Sequence, residues 1–284
     1  MTTSRDLVEL VRAPAALSVP GDAVAGAAAA GALGPRTAGL SAAAVCLYWA
    51  GMAANDWADR DLDAKERPER PIPSGRVSAK AALGVAAGLS AAGLALAGLA
   101  GGRRALAVAV PLTGAVWAYD VKLKGTAAGP AAMAACRGLD VLLGASIRRG
   151  GWRGALVPAL TVAAHTYTVT ALSRREVSGA GRLLPGATLA ATAGVALAAS
   201  GRSPRPGLVG SLAAWYAAGY GDAQVRALAT PDAGSVRAAV AAGITNLPTL
   251  QGALVARSAR PGAAAVVAAC APIGRVLAGR VSPT

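Results

Sequence analysis

Residues 55–77 read NDWADRDLDAKERPERPIPSGRV and break abruptly into a chain that is otherwise apolar on both sides. Asp56, Asp59, Asp61, Asp63, Glu66 and Glu69 lie in this one segment, although the whole sequence has only 14 acidic residues. A helix advances about 100° per residue, so Asp56, Asp59 and Asp63 fall within about 60° of one another, with Asn55 beside Asp59 and Asp61 turned away. One face becomes rich in oxygen. Carboxylates gathered on one face repel each other unless a cation supplies the missing charge, and a divalent cation does so best. Magnesium takes oxygen ligands, keeps waters and commonly joins one or two carboxylates to substrate phosphates. Arg60, Arg67, Arg70 and Arg76 are close in sequence, and guanidinium groups suit bidentate phosphate contacts. The plain alternative is a solvated segment whose opposite charges pair, such as Glu66 with Arg70.

Outward from this segment the chain reads as membrane-embedded. Of its 284 residues 54% are hydrophobic and 15% charged, and the mean hydropathy of +0.47 is high for a chain with a solvated surface. Ten apolar segments are candidate spans, at 14–33, 37–56, 78–100, 104–120, 127–147, 153–172, 183–200, 207–221, 235–256 and 261–278. Most approach the length that crosses about 30 Å of hydrocarbon as a helix. Several are short or contain proline, so one is expected to be interfacial or re-entrant and about nine to cross. The fold expected is therefore an all-α polytopic membrane bundle, with residues 1–284 forming a single transmembrane domain. The 36 glycines and 17 prolines suit such a bundle, where small residues let helices approach closely.

The net charge of +14 comes from cations scattered between apolar segments, not from a basic tail or helix, so nucleic acid is not an expected partner. The cations fit contacts with anionic membrane lipids. Cys46, Cys136 and Cys270 are far apart and lack metal-ligand spacing. The segment after residue 13 lacks a persuasive cleavage pattern and is read as a retained first span.

The run Asn55, Asp56, Asp59 and Asp63, followed by RPIPSGR at 70–76, resembles the UbiA superfamily of intramembrane prenyltransferases. The resemblance implies about nine membrane helices, a magnesium-bound isoprenyl diphosphate, and transfer of the prenyl group to an aromatic or other lipophilic acceptor. It continues at Tyr119–Thr126, YDVKLKGT, which looks like the tyrosine and lysine loop after the family's fourth helix. Lys124 is then a diphosphate contact, with Lys122 a second candidate; interfacial snorkelling is the bland reading of both. The likeness is greatest to the EboC-like branch found with secondary-metabolite gene clusters, which implies specialised metabolism. One departure stands out. After the sixth span, where the family presents a second aspartate-rich motif, the chain reads TALSRREVSG, with Glu176 the only carboxylate beside Arg174 and Arg175.

Arg137 and Asp140 lie in an apolar segment, where ionisable groups are expensive and point to a cavity or a partner. They either line the site or pair with each other at i,i+3 spacing. His165 and Tyr167 are equally ambiguous, an interhelical hydrogen bond being the commoner role of an intramembrane histidine.

These readings define the expected site. Asn55, Asp56, Asp59 and Asp63 are its catalytic residues, the three aspartates being magnesium ligands. Lys124, Lys122, Tyr119, Arg137, Arg67, Arg70, Arg174 and Glu176 are its substrate-binding residues. The expected activity is transfer of an isoprenyl group from an isoprenyl diphosphate to a lipophilic acceptor, in the cell membrane with the site facing the cytoplasm. A non-catalytic protein that binds or transports lipid diphosphates is the alternative. A CDP-alcohol phosphotransferase ranks third, because the DxxDGxxAR pattern is absent.

Overall fold

The computed structural model describes residues 2–258 and 260–278, and among them the regular structure is helical throughout. In chain order the helices are α1 (Ser4–Leu10), α2 (Val19–Ala29), α3 (Pro35–Glu66), α4 (Ala79–Ala118), α5 (Gly129–Ala145), α6 (Trp152–Ser173), α7 (Leu183–Ala199), α8 (Pro206–Ala229), α9 (Ala233–Ala256) and α10 (Pro261–Ala278). A 3₁₀ turn, Ala13–Ser18, precedes α2, and a π-type turn, Tyr119–Leu123, follows α4. The all-helical membrane bundle expected from the sequence is the fold observed. Pro35–Glu66, Ala79–Leu123, Trp152–Ser173 and Ala233–Ala256 are each long and apolar enough to cross a membrane; Leu183–Ala199 and Pro261–Gly274 are shorter apolar helices.

α4 is 40 residues long on paper but is folded in two. Gly102 sits at φ 64°, ψ −153° inside it, a conformation open to glycine and strained for other residues. The Trp117 indole donates to Ser90 Oγ at 3.0 Å across 27 residues, a separation that a straight helix would stretch to roughly 40 Å. The two arms on either side of Gly102 therefore lie antiparallel, matching the candidate spans 78–100 and 104–120.

The first expected span is helical in two pieces. Arg12 is in the left-handed region and is followed by the 3₁₀ turn, so the regular helix α2 has only 11 residues. It packs backbone to backbone on α5. A Cβ on Gly26 would stand 1.7 Å from the carbonyl oxygen of Val141, and one on Gly144 would stand 1.9 Å from that of Ala23. Small residues on both helices allow this approach.

Chain reversals gather the polar segments at one end. The α3–α4, α4–α5, α6–α7 and α8–α9 connections meet there: Arg174 after α6 donates to the carbonyls of Thr126 and Lys124, and the Ala180 amide donates to Pro231 O at 2.9 Å. At the other end Arg148 reaches Ala30 O at 3.1 Å and Arg257 reaches Ala198 O at 3.1 Å.

Candidate functional site

The charged segment is helical further than its composition indicates. α3 runs to Glu66, a length of about 48 Å at 1.5 Å per residue, so its last turns stand beyond the apolar span and carry Asn55, Asp56, Asp59 and Asp63 on helical geometry. Only residues 67–78 form the connection to α4. Asp56 and Asp63 are buried, and Asp59 is partly exposed.

Each of these aspartates meets a cation. Arg70 Nη1 lies 2.7 Å from Asp63 Oδ2 and 3.5 Å from Asp56 Oδ1, so one guanidinium spans two acids. Glu66 is not its partner. Arg12 Nη2 also meets Asp56 Oδ1, at 2.9 Å. Lys124 Nζ lies 2.7 Å from Asp59 Oδ2. In every case the cation engages one oxygen of the carboxylate. These are hard oxygen donors of the kind magnesium takes. Among the described residues, however, no three acidic, histidine or cysteine side chains converge closely enough to hold an ion unaided.

Asp120, in the turn after α4, was not distinguished by the sequence. It is buried, and Asn55 Nδ2 donates to its Oδ1 at 3.1 Å. Gly51, one turn before Asn55, makes room for it, since a Cβ there would meet Asp120 Oδ2 at 2.7 Å. An acid set between Tyr119 and Val121 at the membrane edge was the available signal, as was the need of Asn55 for a partner. Tyr119 is half-buried in the same turn, whereas Lys122 is exposed.

The α6–α7 loop faces this cradle from the other side. Arg174 is held on the backbone of residues 124–126. Burial pushes the Glu176 carboxyl above its ordinary range, and the neighbouring charges of Arg237 and Arg67 oppose that shift. Arg237 also donates to Glu176 O at 2.9 Å. Arg67 and Glu176, from loops more than 100 residues apart in sequence, are thus electrostatic neighbours.

Arg137 lies elsewhere. Its Nε is 2.9 Å from Asp22 Oδ2, and its Nη2 donates to Ser18 O at 3.2 Å. Gln251 Nε2 completes the group, donating to Asp22 Oδ1 at 2.6 Å and to Ser18 O at 2.7 Å. The main partner of Arg137 is therefore Asp22 on α2, which the sequence reading did not single out, rather than Asp140. Asp140 Oδ1 is buried without a hydrogen bond. His165 makes the interhelical bond anticipated for it, to Tyr216 Oη at 2.8 Å, while Tyr167 is exposed.

The comparisons with known proteins agree with this arrangement of helices. Residues 18–178 match the UbiA prenyltransferase family. Digeranylgeranylglyceryl phosphate synthase of Halobacterium salinarum is 35% identical over 234 residues, covering 76% of this chain and 83% of that protein.

The chain belongs to the UbiA prenyltransferase family.

A second relative, digeranylgeranylglyceryl phosphate synthase of Ignicoccus hospitalis, is 42% identical over 119 residues, a match covering 42% of this chain and 36% of that protein. The chain thus spans about a third of the length of that relative. A solved structure of a UbiA homolog from Aeropyrum pernix K1 superposes with a TM-score of 0.67, covering 85% of this chain and 96% of that one. At 18% identity this likeness concerns the fold alone. Within the UbiA fold, the part matched to the family contains α3 with its four polar residues, the turn bearing Asp120 and Lys124, and the α6–α7 loop through Glu176.

Proposed function

We propose that this UbiA-family protein transfers an isoprenyl group from a diphosphate donor to a lipophilic acceptor within the membrane. The observation that carries the reading is the cradle at one end of the apolar bundle. Asp56, Asp59 and Asp63 stand there on one helix end with Arg70 and Lys124 against them. Such a mixed set of carboxylates and cations suits a metal-bound polyanion better than either a bare cation or a bare anion.

Asp56, Asp59 and Asp63 are the proposed ligands of magnesium, each through an oxygen that its cation partner leaves open. Magnesium needs only one or two protein carboxylates when phosphate oxygens and waters fill its remaining positions, so a closed three-residue cluster is not required. When bound, it would neutralise charge building on the departing diphosphate. Lys124 and Arg70 add fixed positive charge at the same place, the kind of stabilisation that lowers a barrier most. Arg67 and Arg174 border the cradle, and Asn55 orients Asp120. The apolar helices beneath receive the prenyl chain and keep water from the allylic cation.

The departing prenyl carbon loses its bond to diphosphate oxygen and gains one to the acceptor nucleophile, which releases a proton. The resemblance to the EboC-like branch supports an acceptor from specialised metabolism. Positive residues stand at both ends of the bundle, so the assignment of the site to the cytoplasmic face of the cell membrane rests on the diphosphate donor.

A second reading, binding or transport of lipid diphosphate without turnover, draws on the α6–α7 loop, whose single carboxylate, Glu176, faces Arg237 and Arg67. Purified protein in lipid, given a panel of isoprenyl diphosphates, magnesium and lipophilic extract, distinguishes the two. Prenylated product with matching diphosphate release, lost in Asp59→Ala, is the expected result. Magnesium-dependent binding without product across the panel would establish the second reading instead.

A further inference from the structure

Arg12 is the one non-glycine residue with positive φ among the described residues, at φ 47°, ψ 50°. It follows Val11, the C-cap of α1, and so holds the position where a helix commonly ends on a left-handed residue, usually glycine because a Cβ is strained there. Its amide closes the helix end on Glu9 O at 3.0 Å. A backbone consideration alone would favour glycine. The arginine places Nη2 2.9 Å from Asp56 Oδ1, 44 residues away. Strain kept at one residue whose side chain reaches a candidate ligand is an observation from which function is properly inferred.

The short helix that presents Arg12 is fixed on both sides. Arg76 Nη1 reaches Asp6 Oδ1 at 2.9 Å and Glu9 Oε2 at 2.7 Å, its Nη2 reaches Glu9 Oε1 at 2.8 Å, and Thr2 Oγ1 donates to Arg76 O at 3.1 Å. Leu10 is fully buried with Ala53, Ala54, Val77 and Ala82. The segment is thus strapped to the α3–α4 connection, which carries Arg70, and to α3 itself. Without Arg12, Asp56 would keep only Arg70 at 3.5 Å, and that guanidinium is closer to Asp63.

We propose that Arg12 is a positioning residue of the diphosphate site: from the N-terminal strap it holds Asp56 through Oδ1 and so fixes a carboxylate that would ligate magnesium. The inference rests on the prenyl-diphosphate reading above. Arg12→Gly relieves the backbone and removes the guanidinium at once, whereas Arg12→Lys keeps the strained backbone and a cation, so the two variants together separate the effects.

The test compares the full-length parent with Arg12→Gly and Arg12→Lys in lipid nanodiscs, measuring thermal midpoint and calorimetric binding of inorganic diphosphate at graded magnesium. In Arg12→Gly the relieved backbone offsets part of the lost ion pair with buried Asp56, so the variant is expected to stay folded at the assay temperature while its affinity for diphosphate in magnesium falls roughly tenfold or more, the scale of a lost charged hydrogen bond. Arg12→Lys should recover part of that affinity. Unchanged affinity in the glycine variant overturns the proposal, as does a lowered midpoint with unchanged affinity in the folded protein. A parent that binds no diphosphate under any magnesium concentration overturns the diphosphate reading and this inference with it.

Discussion

Arg137→Leu tests whether the arginine of α5 serves the substrate or the bundle. In the parent its Nε lies 2.9 Å from Asp22 Oδ2, and both residues are buried, Asp22 completely and Arg137 to within 8%. Removing the guanidinium leaves a carboxylate in the interior with only the Gln251 amide, 2.6 Å from its Oδ1. Breaking a buried pair from one side costs about 3–5 kcal/mol. Because the Gln251 bond survives, the lower end applies, and about 3 kcal/mol corresponds to roughly a hundredfold loss in the folding equilibrium. The variant Asp22→Leu combined with Arg137→Leu removes both charges and should recover most of the loss, since apolar replacements of buried pairs are often neutral or stabilising. Reversible unfolding in mixed micelles, followed by tryptophan fluorescence, measures these two variants and Asp22→Leu alone, which closes a double-mutant cycle. A single variant as stable as the parent, but without diphosphate binding, would refute the reasoning and return Arg137 to the substrate.

Two further outcomes follow from the same packing and from the strap. Gly144→Ala drives a Cβ to 1.9 Å from Ala23 O, so α2 and α5 must part, at a cost of about 1–3 kcal/mol; Gly84→Ala, inside α4 where a Cβ meets nothing within 4 Å, serves as the control and should keep or raise the parent's midpoint. Hydrogen bonds from the Thr3 hydroxyl and amide, then from Arg76, hold the Asp6 carboxyl down at about 2, and the Arg76 bond holds Glu9 below its usual range. Groups depressed in this way bind more protons when α1 is unwound and undocked, so their contribution is full above an ordinary carboxylate value of about 4. It is lost as pH falls from there through about 2, and exchange protection of the Leu7–Leu10 amides should decline over that window. Protection that instead weakened above pH 5 would contradict the assignment.

Much of the architecture was legible before any coordinates. The ten apolar segments correspond to α2, α3, the two arms of α4, and α5 through α10, because burial in hydrocarbon writes long apolar runs directly into a chain. The carboxylate face of α3 was equally legible, since Asn55, Asp56, Asp59 and Asp63 lie within three turns of one helix and the period of 3.6 residues relates them without a third dimension. His165 could be assigned a hydrogen bond by type alone, the cost of an unpaired polar group in lipid being general.

The partners of those residues were another matter. Arg12 and Asp56, Asn55 and Asp120, Arg174 and Thr126, and Arg137 and Asp22 are separated by 44, 65, 48 and 115 positions, and no periodicity links residues on different helices. Arg70 was expected near diphosphate and Glu66 was its simplest local partner, yet the bend of residues 67–78 turns its guanidinium back onto Asp56 and Asp63. The sequence alone determined which residues are costly to bury and which repeat on one face, because both properties are local. Only the tertiary structure decided which opposite charge meets each of them, because Coulomb energy depends on distance through space, and that distance is set by how the helices pack.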